Sequence, residues 1–146
     1  MLQLPRTRQG NEEMKTISIQ TRTREEMIRL DEKVAEVLRA CKWQDGLLLL
    51  FCPHTTAALT VNETADPDVV RDIIAFLRRR IPRDDGFAHS EGNSDAHMKA
   101  TLVGPDLTLM VENGRILLGM WQGIYFYEGD GPRQREVWLK FLPTPA

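Results

Sequence analysis

The sequence has few of the features that would place it in a specialised class of protein. It contains only 2 cysteines, Cys41 and Cys52, which form no CxxC pair and cannot build a disulfide framework. We therefore expect reduced thiols that pack in the interior. No apolar run approaches the roughly 20 residues that a membrane-spanning helix requires, and the first residues lack the apolar stretch of a signal peptide. These absences predict a cytoplasmic protein.

The sequence also lacks a large excess of charge of either sign. Its 19 Lys and Arg residues and 21 Asp and Glu residues give a formal net charge of -2. A protein that binds nucleic acid or an anionic membrane through its overall charge is usually basic, so we expect neither partner. Apolar residues make up 42% and charged residues 27% of the chain, which is typical of a globular protein. Any anionic ligand needs a local site.

The pattern of apolar residues predicts an α+β fold. Strands are predicted at 16–21, 47–51, 57–61, 107–111, 116–120, 121–127 and 136–142, and helices at about 24–42, 67–80 and 96–103. Residues 1–13 show no period, so we predict a flexible extension before a single domain over residues 14–146. Because the helices lie in the first hundred residues and strands cluster after them, we predict a largely antiparallel (mixed) β-sheet with two main helices and one short helix.

Three local patterns support particular elements of this prediction. Thr23 with Glu26 three residues later is a capping-box pattern, and the apolar residues that follow recur at helical spacing. The continuous apolar run 47–51 is typical of a strand that is buried on both faces. The basic run 78–80 is interpreted as a solvated face that complements the negative end of its helix.

The 3 histidines all fall in predicted loops or at the ends of elements. His54 follows the apolar strand in the stretch CPHTT, and His89 and His97 bracket the stretch HSEGNSDAH. Three neutral imidazoles that leave one position open form a ligand set suited to catalytic zinc or another divalent ion. We predict a metal site at these residues, with zinc favoured over magnesium. Separate structural roles are the alternative, because no short motif forces the three residues together.

The loop between His89 and His97 has a second pattern. Glycine and asparagine tolerate left-handed backbone conformations, and a helix N-terminus follows directly, so converging N–H groups favour an anion. We predict phosphate binding by Gly92, Asn93, Ser94 and Asp95. A capped loop without a ligand is the alternative, since the chain has no Walker-type GxxxxGK[ST] motif.

Hydroxyl, amide and carboxyl groups follow His54. We predict that Thr55, Thr56 and Asn62 bind substrate, and that Glu63 is a general base or orients a metal-bound water. In the alternative interpretation, Asn62 and Glu63 have only a structural role in the segment that leads into the next helix.

Two positions near the C-terminus complete the candidate site. Trp121 is placed to stack on a heterocyclic ring and Gln122 to hydrogen-bond it, although core packing of the tryptophan is an equal alternative. Arg133 follows a tight turn, from which a guanidinium can grip phosphate with two hydrogen bonds. A surface ion pair is the alternative for this arginine.

Five motifs in this order resemble the YjbQ-like family: CPHTTAALTVNE, ADPDVVRD, DDGFAHSEGNSDAHMKA, VENGR and WQGIYFYEGDGPR. The resemblance covers residues 14 to 142. It implies an α+β fold that assembles as a homotrimer, and a divalent-metal cluster that carries over to His54, His89 and His97. It also implies a secondary thiamine-phosphate synthase activity, which joins a hydroxymethylpyrimidine diphosphate to a thiazole phosphate with loss of pyrophosphate.

Three functions follow from these observations and remain open at this point. The first is a metal-assisted enzyme that acts on a phosphorylated heterocycle, with thiamine-phosphate synthesis as its concrete form. The second is a zinc-dependent hydrolase in which Glu63 moves the proton of a water. The third is a non-catalytic trimer that binds a phosphorylated small molecule. Met120 stands where the family commonly has threonine, so a substrate contact there loses a hydroxyl.

Overall fold

The structure, a computed structural model, describes residues 13–144. The strands in this range are β1 (Lys15–Gln20), β2 (Glu26–Arg29), β3 (Gly46–Phe51), β4 (Ala57–Glu63), β5 (Asp106–Glu112), β6 (Arg115–Ile116), β7 (Gln122–Glu128) and β8 (Gln134–Pro143). The helices are α1 (Asp31–Cys41), α2 (Pro67–Arg80) and α3 (Ser94–Val103). The predicted flexible extension, residues 1–13, lies outside the described residues apart from Glu13.

The strands form two sheets in which the described pairs are antiparallel. One sheet has the order β1-β8-β3-β5-β6 and the other the order β2-β7-β4. Consecutive strands β7 and β8 lie in different sheets, so the turn between them joins the two layers. The predicted α+β fold, with its two main helices and one shorter helix, is confirmed.

The main core lies between the two sheets and beneath α1. Both sheets and the helix contribute apolar side chains to it, among them Ile17, Ile19, Val34, Leu38, Leu48, Leu50, Leu59, Ile124, Phe126 and Leu139. Successive side chains of a strand point to opposite faces, so Tyr127, which follows the core residue Phe126 in β7, faces away from this core. It packs instead with Ala58 and with Ala100 of α3 in a second, smaller cluster. The outer face of the three-stranded sheet therefore supports α3.

The prediction of one helix over 24–42 is wrong at its beginning. Residues Glu26–Arg29 form β2, which pairs with residues 125–128 of β7, and α1 begins only at Asp31. The Thr23 and Glu26 pattern closes a turn here: the Glu26 carboxylate accepts the backbone N–H of Arg22 at 2.6 Å. Pairing with a distant strand outweighs the local helical signal.

The prediction that β3 is buried on both faces is also wrong for the single chain. Leu48 and Leu50 are buried, but Leu47 and Phe51 on the opposite face are exposed. They share an apolar outer surface with Met110 of the neighbouring β5. The five-stranded sheet thus has one face in the core and one face with exposed apolar side chains within residues 13–144.

Other boundaries differ by small amounts. The strand predicted at 116–120 is shortened to Arg115–Ile116, because the chain turns where the Gln122 carboxamide accepts the Gly119 N–H. Helix α2 has the predicted bounds, and its N-terminus is capped by the Asp66 carboxylate, which accepts the Asp68 N–H at 2.9 Å. Within residues 13–144, no helix has the length and apolar character to cross a membrane.

Candidate functional site

His89 and His97 lie side by side near the N-terminus of α3. Their ring centroids are 5.4 Å apart in an edge-to-face arrangement. Together with Ser94 they line a cavity of about 360 Å³. A second cavity of about 260 Å³ shares His89 and Ser94 and extends to Arg83 and Gly92. These five residues define one continuous depression, which we call the histidine groove.

His54 lies in a different environment from the other two histidines. Its Nε2 contacts the backbone of Glu136 in β8, 2.9 Å from the amide nitrogen, whose N–H it can accept, and 3.2 Å from the carbonyl oxygen. Burial lowers the pKa of this imidazole, and the charge of Arg135 lowers it further. The neutral ring of His54 is therefore fixed against β8 through one of its two nitrogens.

A metal ion finds an incomplete ligand set in the single chain. His89 and His97 supply two adjacent imidazoles, and the carboxylate of Glu91 is 3.8 Å from His89 Nε2. In the part of the chain that the structure describes, no three His, Cys, Asp or Glu side chains are grouped to hold a metal. The residues present therefore fit part of a zinc site, and the three-histidine ligand set stays a prediction.

The loop predicted to bind phosphate, residues 92–95, leads into the N-terminus of α3. Gly92 adopts a positive φ of 69°, which favours glycine, and Asn93 is the N-cap residue of α3. The Asn93 carboxamide donates to Asp130 at 2.8 Å, and its Oδ1 is the buried side-chain atom among residues 13–144 that has no partner. A buried carbonyl oxygen of this kind requires a donor, such as a water or a ligand hydroxyl or amino group.

Asp95 is part of a buried cluster of ion pairs, not of the groove surface. Arg24 donates two hydrogen bonds to its carboxylate at 2.9 and 3.0 Å, and Lys99 donates a third at 2.8 Å. Lys99 also contacts Glu25 at 2.7 Å, and Arg78 binds the other oxygen of Glu25 at 2.8 Å. We call these five residues the ion-pair cluster.

The hydrogen bonds in the ion-pair cluster lower the pKa of both of its acids. Burial alone pushes the pKa of Asp95 upward, but the hydrogen bonds from Arg24 and Lys99 outweigh it and hold this pKa down to about 2. The pKa of Glu25 is also lowered, because Lys99 and Arg78 overcome the effect of its burial. Both acids are therefore ionised near neutral pH and fix the orientation of α3.

A second buried network lies beneath the turn between β7 and β8. Arg135 binds both carboxylate oxygens of Glu128, at 2.6 and 2.8 Å, and also donates to the Thr56 hydroxyl at 2.8 Å. Thr56 is buried, whereas Thr55 is exposed. Thr56 thus holds the turn in place, and Thr55 is the neighbour that presents its hydroxyl to solvent.

Arg133 lies in the same turn. Its Nε donates to the Asp130 carbonyl at 2.8 Å and a terminal nitrogen donates to the Asp130 carboxylate at 3.0 Å. Since Asp130 also accepts from Asn93, the turn is linked to the N-terminus of α3. Asn93 and Arg133 therefore share Asp130 as an acceptor, and Arg133 forms the surface ion pair that was its alternative interpretation.

The remaining predicted residues lie at the opposite end of the β4–β7 pair. Ala57 pairs with Glu128, and Glu63 pairs with Gln122 six positions further along. At roughly 3.3 Å per residue, six steps separate these ends by about 20 Å. The tryptophan end comprises Asn62, Glu63, Trp121 and Gln122, so one chain does not unite all predicted residues in a single site.

The tryptophan end has an open surface. Trp121 is 59% exposed, so it is not a core residue. The Glu63 carboxylate accepts the backbone N–H of Ala65 at 3.2 Å, and Gln122 holds the turn at Gly119. Glu63 therefore helps to shape the approach to α2, which agrees with the structural alternative for this residue.

The sequence analysis assigned no site role to four members of the ion-pair cluster. These residues surround the N-terminal half of α3: Arg24, Glu25, Arg78 and Lys99. One signal was present: Asp95 and Lys99 are four residues apart, so a helix places them on the same face. The contribution of Arg24 and Arg78 depends on contacts 71 and 53 residues apart and has no local signal.

Comparisons with known proteins identify the family of the chain. The family model described as UPF0047 protein YjbQ-like matches residues 15–144. The chain belongs to the UPF0047 (YjbQ-like) family. A UPF0047 protein of Methanocaldococcus jannaschii is 47% identical over 124 residues, which cover 85% of this chain and 90% of the relative. The UPF0047 protein YugU of Bacillus subtilis is 45% identical over 130 residues, covering 88% of this chain and 98% of the relative.

Crystal structures show the same YjbQ-like fold. A YjbQ/UPF0047 family protein from Clostridium acetobutylicum matches with a TM-score of 0.84 and 44% identity, covering 87% of this chain and 98% of that one. A hypothetical protein from Aeropyrum pernix K1 matches with a TM-score of 0.85 and 36% identity, covering 90% and 99% of the two chains. The resemblance of the five motifs to the UPF0047 family is therefore confirmed over nearly the whole domain.

Proposed function

We propose that this protein is an enzyme that acts on a phosphorylated small molecule in the histidine groove, with thiamine-phosphate synthesis as the concrete reaction. The observation that carries the proposal is the pairing of His89 and His97 in a cavity that continues to Arg83. The groove thus combines two imidazoles, which suit a metal ion, with the guanidinium of Arg83, and Asp84 and Asp85 also line it. The proposed reaction follows from family resemblance, and the groove supports its substrate class.

The chemistry of this transfer requires positive charge beside the departing diphosphate. The bond between the pyrimidine methylene carbon and the diphosphate oxygen breaks, and the thiazole nitrogen forms the new bond to that carbon. Negative charge therefore develops on the departing pyrophosphate, where positioned cations lower the barrier. Arg83 lies in the groove and Arg133 at the neighbouring turn, so these two guanidinium groups are the ones we assign to the phosphates.

A zinc-dependent hydrolase is the alternative function. A hydrolase needs a base beside the water that it activates, and Glu63, about 20 Å along β4 from the start of that strand, would have to come from a neighbouring subunit. Zinc itself remains part of the proposal, because two adjacent imidazoles supply two of its ligands. We expect a further ligand to come from His54 or from another subunit.

We further propose that the protein works as a homotrimer in the cytoplasm. Two apolar faces support assembly: the outer face of the five-stranded sheet, where Met110 and Leu142 are more than half exposed, and α2, which is amphipathic yet has no fully buried residue. A helix face on one subunit and a sheet face on the next form a heterologous interface, and such an interface forms a ring when the rotation between subunits closes. Such an arrangement can bring the tryptophan end of one subunit to the histidine groove of its neighbour.

One set of measurements on the purified full chain tests these proposals. A coupled assay for thiamine phosphate is run beside elemental analysis on His54→Ala, His89→Ala and His97→Ala, with Ser90→Ala as the matched exposed control. We expect His89→Ala and His97→Ala to lower turnover by about 100-fold or more, because loss of a metal ligand costs at least as much as loss of a residue that orients one, and Ser90→Ala to leave it unchanged.

The outcomes separate the alternatives. Loss of bound metal in all three histidine variants supports the shared metal site, and retention of metal in all three contradicts it. If the parent binds the pyrimidine diphosphate but forms no product, the non-catalytic binding function replaces the enzyme. Light scattering of the parent at micromolar concentration checks the trimer, which a monomer at that concentration contradicts.

A further inference from the structure

We propose that a third cavity, beside the histidine groove, is a binding site for a phosphoryl or pyrophosphoryl group. It lies between the C-terminal end of α2, the first turns of α3 and the loop before β2, and has a volume of about 270 Å³. Its lining residues are Arg24, Glu25, Arg78, Arg83, Asp95 and Lys99. We call it the arginine cavity.

The charges that line the arginine cavity favour an anion. Four of the lining side chains are cationic and two are acidic, so the cavity carries an excess of two positive charges. The acids are also the more deeply buried groups: the side chains of Glu25 and Asp95 are 3% and 0% exposed, whereas that of Arg78 is 63% exposed. An incoming ligand therefore meets guanidinium groups before it meets carboxylates.

Both acids already have their full complement of cationic partners. Asp95 accepts from Arg24 and Lys99, and Glu25 accepts from Lys99 and Arg78. A metal cation would compete with these partners for the same oxygens. The carboxylates instead act as fixed supports that hold the arginines around the cavity, which is the arrangement that preorganised anion sites require.

The arginines are held in a way that leaves donors for a ligand. Arg78 is anchored through Nε to Glu25, and Arg83 through Nε to the carbonyl of Gly92 at 3.3 Å. In both residues the contact is made by Nε, so it does not engage the two terminal nitrogens of the guanidinium. Terminal guanidinium nitrogens match the oxygen spacing of a phosphate and bind it with two parallel hydrogen bonds.

The arginine cavity adjoins the groove through Arg83, which lines both. A substrate with phosphate at one end of the groove can place a second phosphoryl group in this cavity. The anion site stands on the geometry of the cavity alone, whereas its use for substrate rests on the proposed function. It also changes the interpretation of the basic run 78–80, since Arg78 belongs to a site and Arg79 does not.

Calorimetric titration of the purified full chain with inorganic pyrophosphate, and separately with phosphate, tests the site. The variants are Arg78→Gln and Arg83→Gln, and Arg79→Gln is the matched control, an exposed arginine on the same helix that does not line the cavity. We expect each of the first two to weaken pyrophosphate binding about tenfold, as for loss of a charge-assisted bidentate contact. The control should bind as tightly as the parent.

Arg83→Gln keeps the test decisive if Arg78→Gln unfolds through loss of its contact with Glu25. Equal binding by the parent, the control and Arg83→Gln overturns the proposal, and so does a parent that binds neither anion. If the arginine variants bind pyrophosphate more weakly than the parent, and His97→Ala binds it as tightly as the parent, the anion site is supported. This holds even if no thiamine phosphate is formed. Turnover that is unchanged in Arg78→Gln, which does not line the groove, retains the enzyme and removes this site from its reaction, whereas unchanged turnover in Arg83→Gln contradicts the assignment of Arg83 to the phosphates.

Discussion

The two ends of the β4–β7 pair differ in how their side chains are held. At the end near α3, predicted site residues are joined by buried ion pairs and lie beside three cavities. At the tryptophan end, Trp121 and Glu63 lie on an open surface and contact mainly nearby backbone groups. Both ends belong to the same two strands, yet only one is preorganised within the single chain.

The difference shows where a site can be built by one chain and where it needs a partner. A ligand-binding group is effective when its neighbours fix its position, and α3 is fixed by Lys99 and Asp95. Trp121 is held through its backbone carbonyl, which accepts two hydrogen bonds from Thr64, while its residue surface is 59% exposed. The comparison therefore predicts large effects of substitutions near α3 and small effects on stability at the tryptophan end.

The largest expected effect is at Lys99. Lys99→Met removes the cation that contacts both Glu25 and Asp95, and leaves two buried carboxylates with fewer partners. We expect the free energy of unfolding to fall by about 3–5 kcal/mol, as for breaking a buried ion pair. Urea unfolding measures the change, with Lys33→Met, an exposed position on α1, as control. A loss equal to that of the control would show that the cluster does not hold α3.

An intermediate effect is expected in acid. The folded-state pKa of Asp95 is held near 2, below the ordinary value of about 3.9, so the folded state binds this proton less readily. The stabilisation is fully present above about pH 4 and is lost as the pH falls through 2, with a total of about 2 kcal/mol. Urea unfolding at pH 5, 4, 3 and 2 follows the loss.

Asp95→Asn serves as the variant for this pH dependence, and Asp85→Asn, in the exposed loop, as its control. The stability of Asp95→Asn should decline less steeply between pH 4 and pH 2 than that of the parent and the control. Some slope should remain, because the pKa of Glu25 is also lowered. Parallel curves for all three proteins would contradict the assignment of the ion-pair cluster.

The smallest effect on stability is expected at the tryptophan end. Because Trp121 is mostly exposed, Trp121→Ala should change the free energy of unfolding by less than about 0.5 kcal/mol. If neighbouring subunits complete the site, the same variant should lower turnover at least about tenfold through loss of ring stacking. Thermal unfolding and the thiamine-phosphate assay measure the two effects.

Leu102→Ala, an exposed apolar position on α3, is the control for this variant. Turnover that is equal in Trp121→Ala, Leu102→Ala and the parent would remove the tryptophan end from the site. The end near α3 would then be the functional surface, and the tryptophan end would have only a structural role.

Elements with local signals could be predicted from the sequence. Helix α2 has its cap at Asp66, its proline at the first position and its apolar stripe within one short segment, so its bounds were predicted correctly. The start of α1 could not be predicted in this way. β2 exists because β7, about a hundred residues later, offers it an edge, and no local pattern contains that information.

The sequence by itself determined the family, the class of fold, and the loop in which His89, Asn93 and His97 lie. These depend on motifs and periodicities contained in short stretches of the chain. Only the tertiary structure decided that His54 is bound to β8, that the tryptophan end is separated from the groove, and that Arg24 and Arg78 join Asp95 and Glu25 around a cavity. The physical reason is that strand pairing and ion pairing act across dozens of residues, and their partners are selected by the packing of the whole domain.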